Sequence, residues 1–240
     1  MRFRQWTAAV LLLAVLAAVF SAGYAEETKK ATVFRSPGNI VTLGRYEQDN
    51  NAGNGPEPIE WIILDMSEGR ALLLSRYGLD VKPYHAISED VTWADSTIRT
   101  WLNDEFLFQA FNEQERNAIL LTDVKNDAEQ GFPGYGTDGG RMTEDKVFLL
   151  SWAEADLYFT GGNLAKLCSP TTYAISKGAW TSSSYLADDK PACSWWLRSP
   201  GLDQNDAIRL GNIAYRRDDV SATRNCVRPA LWLSLNDDII

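Results

Sequence analysis

IEWIILDMSEGRALLLSR, residues Ile59–Arg76, decides the fold. Ile59–Met66 and Arg70–Arg76 are each dense in bulky apolar residues, and the Ser67–Gly69 joint is short enough for a hairpin. Apolar side chains fall on both faces of the pair, so the sheet they found is covered on both sides. Upstream, Ile40–Tyr46 alternates loosely and reads as a first strand. It is separated from the hairpin by a turn-rich loop, QDNNAGNGPEP, at Gln48–Pro58. Downstream the period changes. Ser96 caps a segment with Ile98, Trp101, Leu102 and Phe106 on one helical stripe. Asn112 and Glu115 form a capping-box pattern ahead of Ala118, Ile119 and Leu120. Ser151 and Glu154 form another, behind the strand-like VFLL of Val147–Leu150. A short helix over Thr171–Lys177 ends at Gly178.

Between the second and third helices lies Asn126–Thr143, a long surface loop with Pro133 and the glycines 131, 134, 136, 139 and 140. Loops of this length are commonly functional or disordered. The C-terminal third reads as short strands. Cys193–Arg198 is one. Ala207–Leu210 and Ile213–Arg216 flank a two-residue turn at Gly211–Asn212. Asn225–Leu235 is interrupted by Pro229, which marks an edge or a bulge. Strands, then helices, then strands make an α+β domain rather than a βαβ repeat.

The N-terminus sets the compartment. Arg2 and Arg4 precede an apolar run, Ala8–Phe20, and the small residues Gly23 and Ala25 precede a polar stretch. That is the pattern of a secretory signal over residues 1–25, and the run is short for a membrane span, which takes about 20 residues. Removing it takes the formal charge from −9 to −11. The expected layout is signal 1–25, charged linker 26–39 and one domain over 40–240, with no stable span after cleavage. The location is secreted, envelope or periplasmic. The acidic balance argues against nucleic acid and against anionic lipid.

Three cysteines, Cys168, Cys193 and Cys226, leave an odd thiol in an export compartment that permits disulfides. Three buried thiols and one internal bond both fit; Cys193–Cys226 is the preferred pair, though spacing does not choose it. The single histidine, His85, has no local motif with a cysteine. No zinc spacing, phosphate-binding loop or nucleophile elbow is present. No cofactor is expected. Calcium is the one cation that Asp203, Asp206, Asp218 and Asp219 would suit, as a weak extracellular site, against the plainer reading of solvated loop acids.

Aromatics are prominent: nine each of Trp, Tyr and Phe. Trp61, Trp101, Trp152 and Trp232 sit at core-like positions. Trp195 and Trp196 are adjacent on a strand and so face opposite sides. One ring enters the core, and the other lines a groove with Arg198 on its face, or packs beneath that arginine by cation–π contact. Tyr135, Tyr185, Tyr215 and Trp180 fall in loops or near strand ends. Arg99, Arg198 and Arg228, each set among apolar residues, suit an architectural role.

Six motifs in order carry a resemblance: EWIILD (Glu60–Asp65), STIRTWLNDEF (Ser96–Phe106), DKVFLLSWAEADLYF (Asp145–Phe159), PTTYA (Pro170–Ala174), WWLRSPG (Trp195–Gly201) and VRPALWL (Val227–Leu233). Over about Val41–Leu235 the chain resembles a family of secreted bacterial domains of unknown function. That family is distantly similar to the formylglycine-generating-enzyme and C-type-lectin-like superfold. The resemblance implies close termini, early strands meeting the last strand, and two main helices flanking a small irregular sheet. Val227–Pro229 resembles the closing Gly-Phe-Arg strand of the enzymes. Their paired copper-binding cysteines have no counterpart here, so formylglycine chemistry is not expected. The resemblance implies a display or binding role.

The leading expectation is a secreted ligand-binding module for a glycan, a cell-wall fragment or a protein partner. Its site draws on Tyr135, Arg141, Trp180, Tyr185, Trp196, Arg198, Asp206 and Arg209, and no catalytic residue is assigned. The alternatives are an extracytoplasmic enzyme, with Asp203, Asp206 or Glu154 as acid–base carboxylates and His85 as an outlying base, and a structural surface domain.

Overall fold

The computed structural model describes residues 36–160, 166–211 and 214–235. The signal reading at 1–25, most of the linker and the turn at Asn212 lie outside the described residues.

The strand hairpin of the opening stretch is present as β2 (Glu57–Ser67) and β3 (Arg70–Ser75). Its turn is Glu68–Gly69, with φ of 52° and 74°, and Ser67 pairs with Arg70. Positive φ at both central residues is what a type I′ turn needs, and its twist matches that of the strands. β1 (Ile40–Tyr46) pairs antiparallel with β2. The pairing slips between Thr42 and Arg45, where Gly44 takes φ +67°. A Cβ at Gly44 would lie 2.6 Å from the Phe111 ring and 2.7 Å from the Ala110 carbonyl oxygen, so this bulge requires glycine. The first sheet is completed by the last strand, β12 (Ala230–Ser234), in the order β1-β2-β3-β12.

A second sheet runs β10-β9-β8-β11-β4. Its members are β4 (Asp80–Val81), β8 (Lys190–Pro200), β9 (Asp206–Gly211), β10 (Ala214–Asp219) and β11 (Cys226–Val227). β7 (Thr181–Ala187) pairs with β8 through a two-residue turn at Asp188–Asp189, both with positive φ. Pro229 does break the last stretch, between β11 and β12. Gly211 pairs with Ala214, so it belongs to β9 rather than to the turn. A small ladder, β5 (Thr122–Val124) with β6 (Thr143–Asp145), closes the base of the glycine-rich loop.

The helices begin where their caps predict. α1 (Thr97–Trp101) starts at Ser96, whose hydroxyl accepts from Arg99 N. It runs on through a wide turn, Leu102–Phe106, into α2 (Leu107–Ala110). α3 (Glu113–Ala118) and α4 (Trp152–Phe159) carry the two full capping boxes, at Asn112/Glu115 and Ser151/Glu154. α5 (Thr172–Ser176) is capped by Thr171 and stops before Gly178 at φ +99°. Ile119 lies just past α3 rather than within it. The architecture is a mixed α+β fold of short strands and short helices.

One apolar core joins the two sheets, with Trp61, Trp93, Trp195 and Trp196 fully buried. Trp152 and Trp232 are only partly buried, and Arg70 lies 4.5 Å over the Trp232 ring. Arginines, one half-buried and one fully buried, knit the irregular segments. Arg99 pairs with the buried Asp145 at 2.7 Å, and Trp93 Nε1 donates to the same carboxylate at 3.0 Å. Arg228 donates from Nε to the Ser75 carbonyl and lies 4.8 Å over the Trp195 ring. Among the described residues no helix is long and apolar enough to cross a membrane.

Candidate functional site

Three carboxylates meet at the root of the β1–β2 loop. Tyr46 pairs with Glu57 across the two strands, which brings the acids that flank the turn-rich stretch together. One oxygen each of Glu47, Asp49 and Glu57 lies within 4.8 Å of the others. The loop shapes them. Glu57 Oε2 accepts from the backbone N–H of Gln48 (2.8 Å) and Asp49 (3.3 Å). Asn51 N–H donates to Glu47 Oε1 (2.9 Å) and Asp49 Oδ1 (2.8 Å), and Asn54 Nδ2 donates to Asp49 Oδ2 (2.7 Å). An ionised carboxylate offers about four lone-pair positions, so each group keeps acceptor capacity. None of the three forms an ion pair with a described lysine, arginine or histidine. Calcium binds oxygens at about 2.3–2.6 Å. Oxygens up to twice that apart can therefore share one ion, and 4.8 Å falls within that span.

The loop is docked, not free. Gln48 O accepts from Tyr173 N–H in α5 (2.9 Å), and Ser176 Oγ donates to Asn50 Oδ1 (3.0 Å). Between the loop, α5 and the β7–β8 turn lies a cleft of about 420 Å³, with Asp49, Tyr77, Thr171, Ile175, Thr181 and Lys190 among its walls. The Tyr77 ring sits under two cations, the Arg76 guanidinium at 5.2 Å and the Lys190 ammonium at 5.9 Å. Burial pushes the Tyr77 phenol above its ordinary range. The cleft thus offers an aromatic side chain, hydroxyls, the apolar side chains of Pro170, Ile175 and Pro191, and charges of both signs. A second cleft, of about 380 Å³, lies along Ile62, Leu64, Tyr158 and Cys168.

The residues singled out from sequence do not assemble into one site. Trp196 is fully buried, its Nε1 donating to the Lys82 carbonyl at 2.9 Å, so no groove is lined by its ring. Trp195 is equally buried, because β8 is covered on both faces. Arg198 is 1% exposed. Its guanidinium does not lie over Trp196 but donates to the carbonyls of Lys125 and Leu149 and to both oxygens of Glu154, at 2.5 and 2.9 Å. Glu154 is therefore held by an arginine rather than poised as an acid or base. Asp203 and Asp206 both pair with Arg217 at 2.7 Å, while Asp218 pairs with Arg209 and Arg224. Asp219 takes hydrogen bonds from Ser221 and Ser88, which hold its carboxyl below the usual range. These acids are partnered, which removes the reason to place calcium among them. His85 Nε2 lies 2.9 Å from Glu89.

The remaining residues are dispersed. Arg141 is exposed and 3.5 Å from Asp95. Trp180 is 43% exposed, and Tyr185 is half-buried on β7. Tyr135 stacks on Phe132 at 4.9 Å in a surface cluster with Trp152 and Tyr215. All three cysteines are free and buried. Cys193 is in contact with both of the others: its Sγ lies 3.6 Å from Cys168 Sγ, and on its other side it meets Cys226, the expected partner. Sequence reasoning passed over all three, Glu47, Asp49 and Glu57. Their one signal was an acid at each stem of a hairpin loop.

The chain belongs to the family described as Domain of unknown function (DUF6273), whose model matches residues 68–235. The carboxylate loop precedes the matched segment. No curated protein and no solved structure matches the chain.

Proposed function

We propose that this is an exported domain that works through its β1–β2 carboxylates. Glu47, Asp49 and Glu57 hold a hard divalent cation of the calcium class, and the adjoining cleft takes an oxygen-rich ligand, a glycan or cell-wall fragment. The carrying observation is the convergence of three carboxylates within 4.8 Å with no ion pair to any of them among the described residues. Asp203, Asp206, Asp218 and Asp219 are instead paired with arginines or hydroxyls. Asp49 belongs both to the trio and to the cleft wall, so an ion bound there would sit at the lip of the ligand's pocket. Tyr77 and Lys190 supply the wall with an aromatic side chain and a hydrogen-bond donor for a sugar's hydroxyls. Export is read from the N-terminal signal pattern. The closure of the first sheet by β12 supports a C-type-lectin-like reading of the fold, in which early strands meet the last.

A second reading uses the same acids as an enzyme's acid–base pair. It is favoured by the free acceptor capacity on the three carboxylates, since general acid–base work needs positioned groups within reach of substrate. A glycan and cell-wall-fragment array, probed with and without calcium and with Asp49→Asn alongside, tests the binding reading. The expected result is capture that needs both calcium and Asp49. Capture indifferent to both would sink it, and cleavage of an arrayed fragment without calcium would favour the enzyme.

A further inference from the structure

Cys168 precedes α5, Cys193 lies in β8 and Cys226 in β11, and each is 1% exposed or less. Cys193 N–H donates to the Cys168 carbonyl at 2.8 Å, and their Sγ atoms are 3.6 Å apart. The two residues are thus placed side by side, and small side-chain rotations bring the sulfurs to bonding distance, about 2.05 Å. On its other side Cys193 meets Cys226 above Gly78. A Cβ on Gly78 would lie 2.9 Å from Cys226 Sγ and 3.1 Å from Cys193 Sγ, so sulfur fills the space a side chain would need. Cys193 is the middle member of the cluster, with a thiol on either hand. Burial pushes the Cys168 and Cys193 thiols up, and the nearby Arg228 guanidinium opposes that shift. Once the fold has closed, these thiols are held protonated and unreactive.

We propose that Cys168 and Cys193 form a disulfide in the oxidised protein, with Cys226 as a thiol that can exchange into it through Cys193. The bond forms before the core closes. The Cys193 thiolate attacks one sulfur of a donor disulfide; the donor's S–S bond breaks, one donor sulfur leaves as thiolate, and a mixed disulfide remains. The Cys168 thiolate then attacks the Cys193 sulfur and expels the second donor sulfur. The two cysteines give up two protons and two electrons, and the donor disulfide becomes two thiols. In the exchange, which likewise belongs to the chain before the core closes, the Cys226 thiolate attacks Cys193 and releases Cys168, with no net oxidation. The bond ties β8 to the segment that leads into α5, whose Thr171 and Ile175 line the cleft. Redox state then sets how firmly that wall is held, whichever ligand the cleft takes.

The test is refolding of the reduced, denatured full chain in a mixture of reduced and oxidised glutathione. Acid quench, alkylation of remaining thiols and peptide mass mapping follow. The expected product is one chain with a Cys168–Cys193 link and an alkylated Cys226. Reducing it should lower the melting midpoint by about 10 °C, as a loop of this length predicts. Cys226→Ser should keep the link, and Cys168→Ser should move it to Cys193–Cys226. Three alkylated thiols, a Cys193–Cys226 link as the end product of the unmutated chain, or a bond between chains would overturn the pairing. A Cys168→Ser chain that folds without a bond would overturn the exchange. If Cys168→Ser fails to fold, quenching the unmutated chain early in refolding decides: a transient Cys193–Cys226 link with Cys168 alkylated, replaced by Cys168–Cys193 in the end product, supports the exchange, and a Cys168–Cys193 link at every time point refutes it.

Discussion

Replacing Glu154 by alanine should destabilise the fold by about 3 kcal/mol. The Arg198 guanidinium is 1% exposed, and Glu154 takes two of its hydrogen bonds, at 2.5 and 2.9 Å. Removing one partner of a buried pair costs roughly 3–5 kcal/mol, because the other charge stays buried and unmatched. Two facts adjust that figure. The Glu154 side chain is 30% exposed, so water can enter where the carboxylate was and reduce the loss. Against this, Glu154 also accepts from the Ser151 N–H, and that half of the capping box goes as well. At roughly 2–4 °C per kcal/mol for a chain of this size, the midpoint should fall by about 6–12 °C. Glu154→Gln keeps one acceptor and should lose about half as much. The double change Arg198→Met with Glu154→Leu should recover part of the loss, since it leaves no stranded charge but gives up the bonds to the Lys125 and Leu149 carbonyls and the Ser151 N–H. Thermal and urea melts followed by circular dichroism read all three. A Glu154→Ala midpoint within about 2 °C of the parent, or a double variant no better than the single one, would refute the reasoning.

Gly44→Ala should cost about 3 kcal/mol, by adding a methyl 2.6 Å from the Phe111 ring at a backbone φ of +67°; a urea midpoint shows it, and an unchanged midpoint would mean that the bulge relaxes freely. Burial raises the Tyr46 and Tyr84 phenols well above their ordinary value, and Tyr46 also donates to Asp80. A raised folded value means that the stabilisation is complete below the unfolded value of about 10 and is lost as pH rises beyond it. Phenolate absorbance should therefore show these two ionising only as the near-ultraviolet dichroism collapses. Ionisation near pH 10 in the intact fold would contradict their burial.

What could be read ahead of the structure was local. The β2–β3 hairpin shows in two dense apolar runs and the short Ser67–Gly69 joint between them, and the helices at Asn112 and Ser151 show in residues three apart, because their caps are made by neighbours. The failures are long-range. Arg198 meets Glu154 across 44 positions, and no spacing rule reaches that far. Strand parity did separate Trp195 from Trp196, but β8 is buried on both faces, so parity divided two buried layers rather than core from solvent. β7 was passed over because TSSSYLA is mostly polar and half-exposed. Glu47 and Glu57 lie ten positions apart and meet only because β1 and β2 pair antiparallel. Cys168 lies in no strand, and its approach to Cys193 depends on how the segment before α5 packs.

Calcium titration of the full chain by calorimetry, beside Asp49→Asn and Glu57→Gln, tests the central claim most directly. The account predicts one site per chain with a dissociation constant of about 10⁻⁴–10⁻³ M, the range of extracellular modules, and its loss in both variants while their melting midpoints stay near the parent's. No binding heat in the parent chain, or equal binding in the variants, would contradict it.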